Sequence, residues 1–449
     1  MFEKYRMYLA VLGGFLVNIT LGGFYSSGST QIFIVNYMKN HSISPTNVHN
    51  GSIHWIPGLV LFGTGASLSL GGFIEKKIGP SLTILVGGWL LSLNTLLTSL
   101  TINTYVWVVV IFYGLVSGFG IGIAYGVCFD VPMKWFPKNK GLVIGLVNSG
   151  YGISPLLFIT IQDLMKMYYI EENFLHHFPI LFLITGSIYA MLQLLGAVLV
   201  RGPKSQNQET EARPISLSST STEIGFWNSF QNEFNLSEMK PHQLIFVTDF
   251  WILWMIFALT CFVVTLITSL YLPFSHHLGI PENNPLGNIN IISSFIAIFH
   301  FSGRIFWGCI IDRIAFKIAI RIICLTSCLF VGTLPLMPLI SKICRIYILV
   351  LWLAIILFML SGIFTIFPRI CAKLFRTKHF ISNYGMVYTG CSVGGTIFSL
   401  ISQLGFRNTP LKDAEYRNLF IVSSSLLLIA FMLTKLYKGK PVVLTKFGM

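Results

Sequence analysis

Apolar residues in this chain come in runs of about twenty or more, broken by short polar turns. Neither the strict alternation of a half-buried strand nor the three-and-four spacing of a surface helix governs them. A helix of about 20 apolar residues spans a ~30 Å hydrocarbon layer. Twelve runs of that length can be drawn, near residues 7–38, 52–73, 81–101, 105–130, 141–167, 177–200, 248–276, 287–311, 318–340, 346–372, 383–404 and 416–436. One long polar segment, 201–247, is rich in Ser, Thr, Gln, Asn and Glu, a composition that cannot bury a core. The pattern predicts an all-α integral membrane protein in three parts: six helices in 1–200, a cytosolic linker over 201–247, and six helices in 248–449. Within the linker, Phe226, Phe230 and Phe234 recur every fourth residue beside Trp227. That stripe fits a short helix on the inner leaflet or, equally, a tether with scattered aromatics.

Composition sharpens this picture. The 449 residues are 54% hydrophobic and 10% charged, where soluble domains run near a quarter charged. A net charge of +14 raises the question of a nucleic-acid partner, but the basic residues sit in short turns between apolar runs, where they set topology. With the N-terminus inside, 22 of the 30 Lys and Arg fall on the inner side and seven outside, leaving Arg304 in the membrane. Both termini are therefore expected in the cytosol, with the lipid bilayer and not nucleic acid as the surrounding partner. The first apolar run is too long for a signal peptide and is expected to be a first span. All eight cysteines lie in or beside apolar runs without metal-ligand spacing, so no metal or cofactor is expected. No nucleophile–base pair shares a depth, so no enzyme is expected either.

The two sets of six echo each other. Gly71-Gly72 through Glu75, Lys76, Lys77 and Gly79 close span two, and Gly308 through Asp312, Arg313 and Lys317 close span eight. The turns after spans four and ten match in the same way. Parallel halves of this kind place a substrate site at their interface near the midplane, with Gly72, Lys76, Lys77, Gly79, Asp312 and Arg313 as candidate gating or structural turns. Span four adds a glycine ladder, Gly114, Gly118, Gly122 and Gly126, which lets helix backbones approach closely.

Span eight carries the chemistry. The stretch IISSFIAIFHFSGRIFWGCIIDRIAFK, residues 291–317, holds His300 and Arg304 inside an apolar run. Four residues apart, they share a helical face. Counting 1.5 Å per residue from Asp312, Arg304 lies roughly 12 Å and His300 roughly 18 Å into the layer. An ionised side chain there costs at least about 2.5–3.5 kcal/mol on insertion scales, so it needs a partner or a use. The sixteen acidic residues offer Arg304 almost no carboxylate at its depth. Two readings stand: a cation for an external carboxylate, which its planar fork suits, or a structural arginine capping backbone carbonyls. His300 is either a satisfied buried histidine or a proton site, since an anion offsetting Arg304 would let substrate and proton bind together.

One further likeness is specific. GFGIGIAYGVCFDVPMKWFPKNKGLVIGLVNSGYG, residues 118–152, resembles the span-four-to-five signature of the oxalate/formate antiporter and monocarboxylate carrier branch of the major facilitator superfamily. GGFIEKKIGP, residues 71–80, and SGRIFWGCIIDRI, residues 302–314, resemble the matching turns of that family. The resemblance implies two pseudo-symmetric six-helix bundles around a central site, Arg304 as the carboxylate-binding cation, and Tyr25, Tyr125, Tyr151 and Tyr388 as aromatic lining. The oxalate carriers have a lysine in span eleven where this chain has Cys391, so a second cation for a dicarboxylate is missing. Leu360 and Phe364 stand at the family's aromatic positions in span ten. The expectation is a secondary active transporter of small carboxylates working by alternating access, a monocarboxylate of the lactate and pyruvate size class, with proton coupling through His300. Its alternatives are an obligate organic-anion exchanger of the oxalate/formate type and a carboxylate sensor that does not transport. Plasma and organelle membranes stay open.

Overall fold

The structure is a computed structural model. It describes residues 2–23, 27–43, 53, 55–203, 240–279, 289–375, 379–405 and 411–439. The aromatic stripe at 226–234, most of the polar linker and Tyr25 lie outside the described residues.

Long apolar helices follow the predicted runs. Among the described residues, eleven are long and apolar enough to cross a membrane: Trp55–Ile78 (span two), Pro80–Thr101 (three), Val106–Trp135 (four), Lys140–Tyr169 (five), Phe178–Leu199 (six), Thr248–His277 (seven), Ile292–Ile311 (eight), Phe316–Leu339 (nine), Cys344–Leu374 (ten), Phe380–Gln403 (eleven) and Asp413–Leu436 (twelve). Span one differs from the single run expected. It forms two helices, Phe2–Leu21 and Ser27–His41. Gly22 stands just after the first, where a Cβ would lie 2.4 Å from the Tyr151 carbonyl oxygen of span five, so the chain passes that helix at backbone contact. Span ten changes from one assigned helix to the next at Gly362, whose dihedrals stay helical, and the Trp307 ring of span eight occupies the space a side chain there would need.

Packing repeats between the halves. In the first six spans, the pairs one–five, one–six, two–four, three–six and three–four pack together. The last six repeat the set as seven–eleven, seven–twelve, eight–ten, nine–twelve and nine–ten. Two seams join the halves, span two on span eleven and span five on span eight. Both seams are lined by small residues. Added Cβ atoms at Gly58, Gly65 and Gly72 would meet Ser399, Ser392 and Ser382, and those at Gly141, Gly145 and Gly152 would meet Gly308, Arg304 and His300. At these glycines the backbones of the two halves come close enough to bury what lies at their centre.

Candidate functional site

Arg304 sits where the span five–eight seam meets the middle of the protein, and only 1% of it is exposed. Its Nη1 donates to the Asn148 carbonyl oxygen and to Asn148 Oδ1, both at 2.8 Å. The guanidinium carbon lies 5.1 Å from the Tyr151 ring centroid and 5.2 Å from that of Phe364, close enough for cation–π attraction. Among the described residues, Nε and Nη2 have no hydrogen-bond partner. Ion pairs among the described residues, Lys134–Asp130, Lys166–Asp163, His277–Asp413 and Arg369–Asp312, lie elsewhere. Each of the two readings of Arg304 thus finds part of its evidence. One edge of the guanidinium caps a carbonyl, and the other is a two-donor fork with no protein acceptor.

Asn148 was not singled out in the sequence, and it binds the site together. Its Nδ2 donates to the Phe364 carbonyl at 2.7 Å, and its Oδ1 also accepts from the Tyr125 hydroxyl at 3.1 Å. A signal was present: Gly141, Gly145, Asn148 and Gly152 recur at three- and four-residue spacing, so the carboxamide lies on the face that meets span eight. Three of the predicted aromatics gather here. Tyr125 meets Tyr151 edge-on at 5.7 Å and Tyr388 at 6.0 Å. Toward the basic end, Phe129, Phe380 and Tyr384 close over Tyr125, with ring centroids 5.0–6.1 Å apart. Rings from both halves thus seal that route with apolar surface.

His300 lies one turn further from the basic end and is 5% exposed. It borders a separate cavity of about 30 Å³, lined also by Gly152, Pro155, Thr268, Tyr271 and Ser293. Tyr271 and Ser293 hydroxyls bond there at 2.8 Å. A space of this size has room for a water molecule or two, beside a lining that is mostly apolar and includes Ile296, Ala297 and Leu357. His300 and Arg304 both press their backbones on span five, as their shared face predicts.

The turns at the basic end divide by role. Gly79 has φ +84°, a left-handed conformation that a side chain would strain, and its N–H caps the Glu75 carbonyl at 2.8 Å. Lys76 hydrogen-bonds His379 at the start of span eleven. Asp312 accepts from the backbone N–H groups of Gly141 and Leu142 at 3.0 Å, and from Arg369 Nε at 2.9 Å. Gly72 packs against Ser382 across the seam, whereas Lys77 and Arg313 are exposed. Among the described residues, no group of three or more His, Cys, Asp or Glu side chains is placed to hold a metal ion.

The sequence pattern of the Major Facilitator Superfamily matches residues 12–398. The chain belongs to that superfamily. Among its relatives is the apicoplast pyruvate carrier 1 of Toxoplasma gondii, 23% identical over 92% of this chain and 85% of that one. The oxalate:formate antiporter of Oxalobacter formigenes is 25% identical over 71% and 67%, and monocarboxylate transporter 14 of Mus musculus 22% over 85% and 80%. The solved structure of the proton:xylose symporter XylE bound to 6-bromo-6-deoxy-D-glucose superimposes with a TM-score of 0.68 at 12% identity, covering 98% of each chain. That likeness carries the fold: this is a multi-pass facilitator-fold membrane protein.

Proposed function

We propose that this protein is a secondary active transporter of small monocarboxylates, of the pyruvate and lactate class, working by alternating access. The observation that carries the proposal is the Nε/Nη2 edge of Arg304, buried between the halves and without a protein acceptor among the described residues. A carboxylate matches two parallel N–H donors in one plane, and burial strengthens such charge-assisted bonds. The aromatic surround of Tyr125, Tyr151 and Tyr388 offers apolar contact to the small organic remainder of the acid. Cys391, buried in span eleven, brings no second cation, which favours one carboxylate over two. Relatives named as a pyruvate carrier and a monocarboxylate transporter support the same class.

In this reading the halves rock about the two small-residue seams, His300 carries a coupled proton, and the termini and the linker over 201–247 face the cytosol. The decisive experiment is uptake of labelled pyruvate, lactate, formate and oxalate by purified protein in proteoliposomes. Arg304→Ala should insert normally and transport at least about thirtyfold more slowly, since removing one partner of a buried charged pair costs roughly 2–5 kcal/mol. Normal transport by Arg304→Ala would end the proposal. Uptake that strictly requires an internal anion would point to the exchanger, and binding without counterflow to a sensor.

A further inference from the structure

Arg304 is held from one side by a single residue, and that residue comes from the other half of the protein. Nη1 carries two hydrogens, and Asn148 takes both, one on its backbone oxygen and one on its side-chain oxygen, each at 2.8 Å. In a guanidinium the Nε–H and one N–H of Nη2 share the opposite edge, so fixing Nη1 at two points fixes the plane and rotation of that edge. Tyr151 and Phe364 add ring contacts 5.1 and 5.2 Å from the guanidinium carbon. Asn148 itself cannot turn freely. Its Nδ2 bond to the Phe364 carbonyl and its Oδ1 bond from Tyr125 would both be lost.

From this arrangement we infer that Asn148 is a positioning residue: it presents the Arg304 fork to a carboxylate only while spans five and eight are in contact. The inference rests on the reading of Arg304 as the carboxylate cation and goes beyond it. Tyr125 and Asn148 belong to the first six spans, Arg304 and Phe364 to the last six. Three of the four hydrogen bonds of the Asn148 cluster therefore cross between halves. Opening that seam removes them together and frees the guanidinium to reorient. A carboxylate is then held tightly in the closed arrangement and loosely in the open one, which is the differential affinity that lets binding drive closure and opening drive release.

The test compares Asn148→Ala and Asn148→Asp with Arg304→Ala, reading the dissociation constant for labelled pyruvate and the melting temperature of the purified full-length protein in detergent. Losing the bonds to a charged group should weaken binding between about ten- and a hundredfold in Asn148→Ala. In Asn148→Asp a carboxylate of the protein takes the charge of Arg304, so pyruvate binding should vanish while the melting temperature stays at or above that of Asn148→Ala. A merely structural asparagine would lower the melting temperature in both variants and leave pyruvate affinity unchanged in whatever stays folded. If Arg304→Ala abolishes binding but both Asn148 variants bind as wild type, this inference fails and the carboxylate reading stands. If Arg304→Ala binds normally, the carboxylate reading fails and takes this inference with it.

Discussion

A guanidinium in an apolar run is conspicuous, and Arg304 could be singled out because burial without a carboxylate partner is unfavourable wherever the helix goes. Its neighbours were less legible. Tyr125, Tyr151 and Tyr388 came only from family likeness, and Asn148 could not be weighed because its importance depends on which helix faces span five. A carboxamide is neutral, so its placement leaves little trace in a hydrophobic pattern. His300 is as the shared-face argument expects: it lies on the helix face of Arg304 and presses on span five, and it also borders the small Tyr271–Ser293 cavity. Its role is open to test. Replacing His300 by Gln keeps hydrogen bonding and removes titration. If His300 carries the coupled proton, the variant retains pyruvate exchange and loses accumulation driven by a pH gradient. The sign follows from charge: a proton on His300 adds positive charge near the anion, so wild-type affinity should rise as pH falls, and the variant should lose that dependence. Equal gradient-driven accumulation by both proteins would exclude the histidine.

Among the elements, eleven spans follow from run length alone because hydrocarbon thickness sets the length of each helix. Interruptions were not legible. Gly22 and Gly362 stand where the assigned helices end, and each has a neighbour, Tyr151 or Trp307, in the space a side chain would need, which no local pattern reveals. The ladder in span four was legible as spacing but not as contact. Its glycines are unequal: a Cβ on Gly122 would lie 2.3 Å from the Thr64 carbonyl, one on Gly118 2.4 Å from that of Val60, but one on Gly114 3.2 Å from a Leu59 side-chain carbon. A carbonyl in a helix cannot step aside as a side chain can. Gly122→Ala should therefore push span two from span four and lower stability by about 1–3 kcal/mol. Gly114→Ala should cost clearly less. Thermal unfolding in detergent compares them, and equal melting temperatures would show that the ladder is not a backbone contact of this kind.

For the whole molecule, the repeated packing pairs and the two seams turn a chain of helices into two bodies with a shared centre. The repeat was legible in the turns after spans two and eight, since each carries a glycine followed within a few residues by an acidic and a basic side chain. Asp312 was legible there as a candidate gating or structural residue, but its partners were not, because they come from spans five and ten. Its carboxylate crosses the seam to the first backbone N–H groups of span five and also holds Arg369 of span ten. Negative charge at a helix N-terminus is stabilising by up to about 2 kcal/mol when partly buried. Asp312→Asn keeps the size of the side chain and removes that charge. We expect the variant to shift the protein toward an arrangement open at the basic end, by roughly tenfold in population if about 1.4 kcal/mol of closed-state stability is lost. Spin labels at Lys138→Cys, on the exposed turn before span five, and Arg313→Cys, beside the carboxylate, report the separation of the halves there. In Asp312→Asn a longer-distance population should grow, and added substrate should diminish it. An unchanged distance distribution would mean that Asp312 only shapes its own turn, and that the aromatic seal of Phe129, Phe380 and Tyr384 keeps this end shut without it.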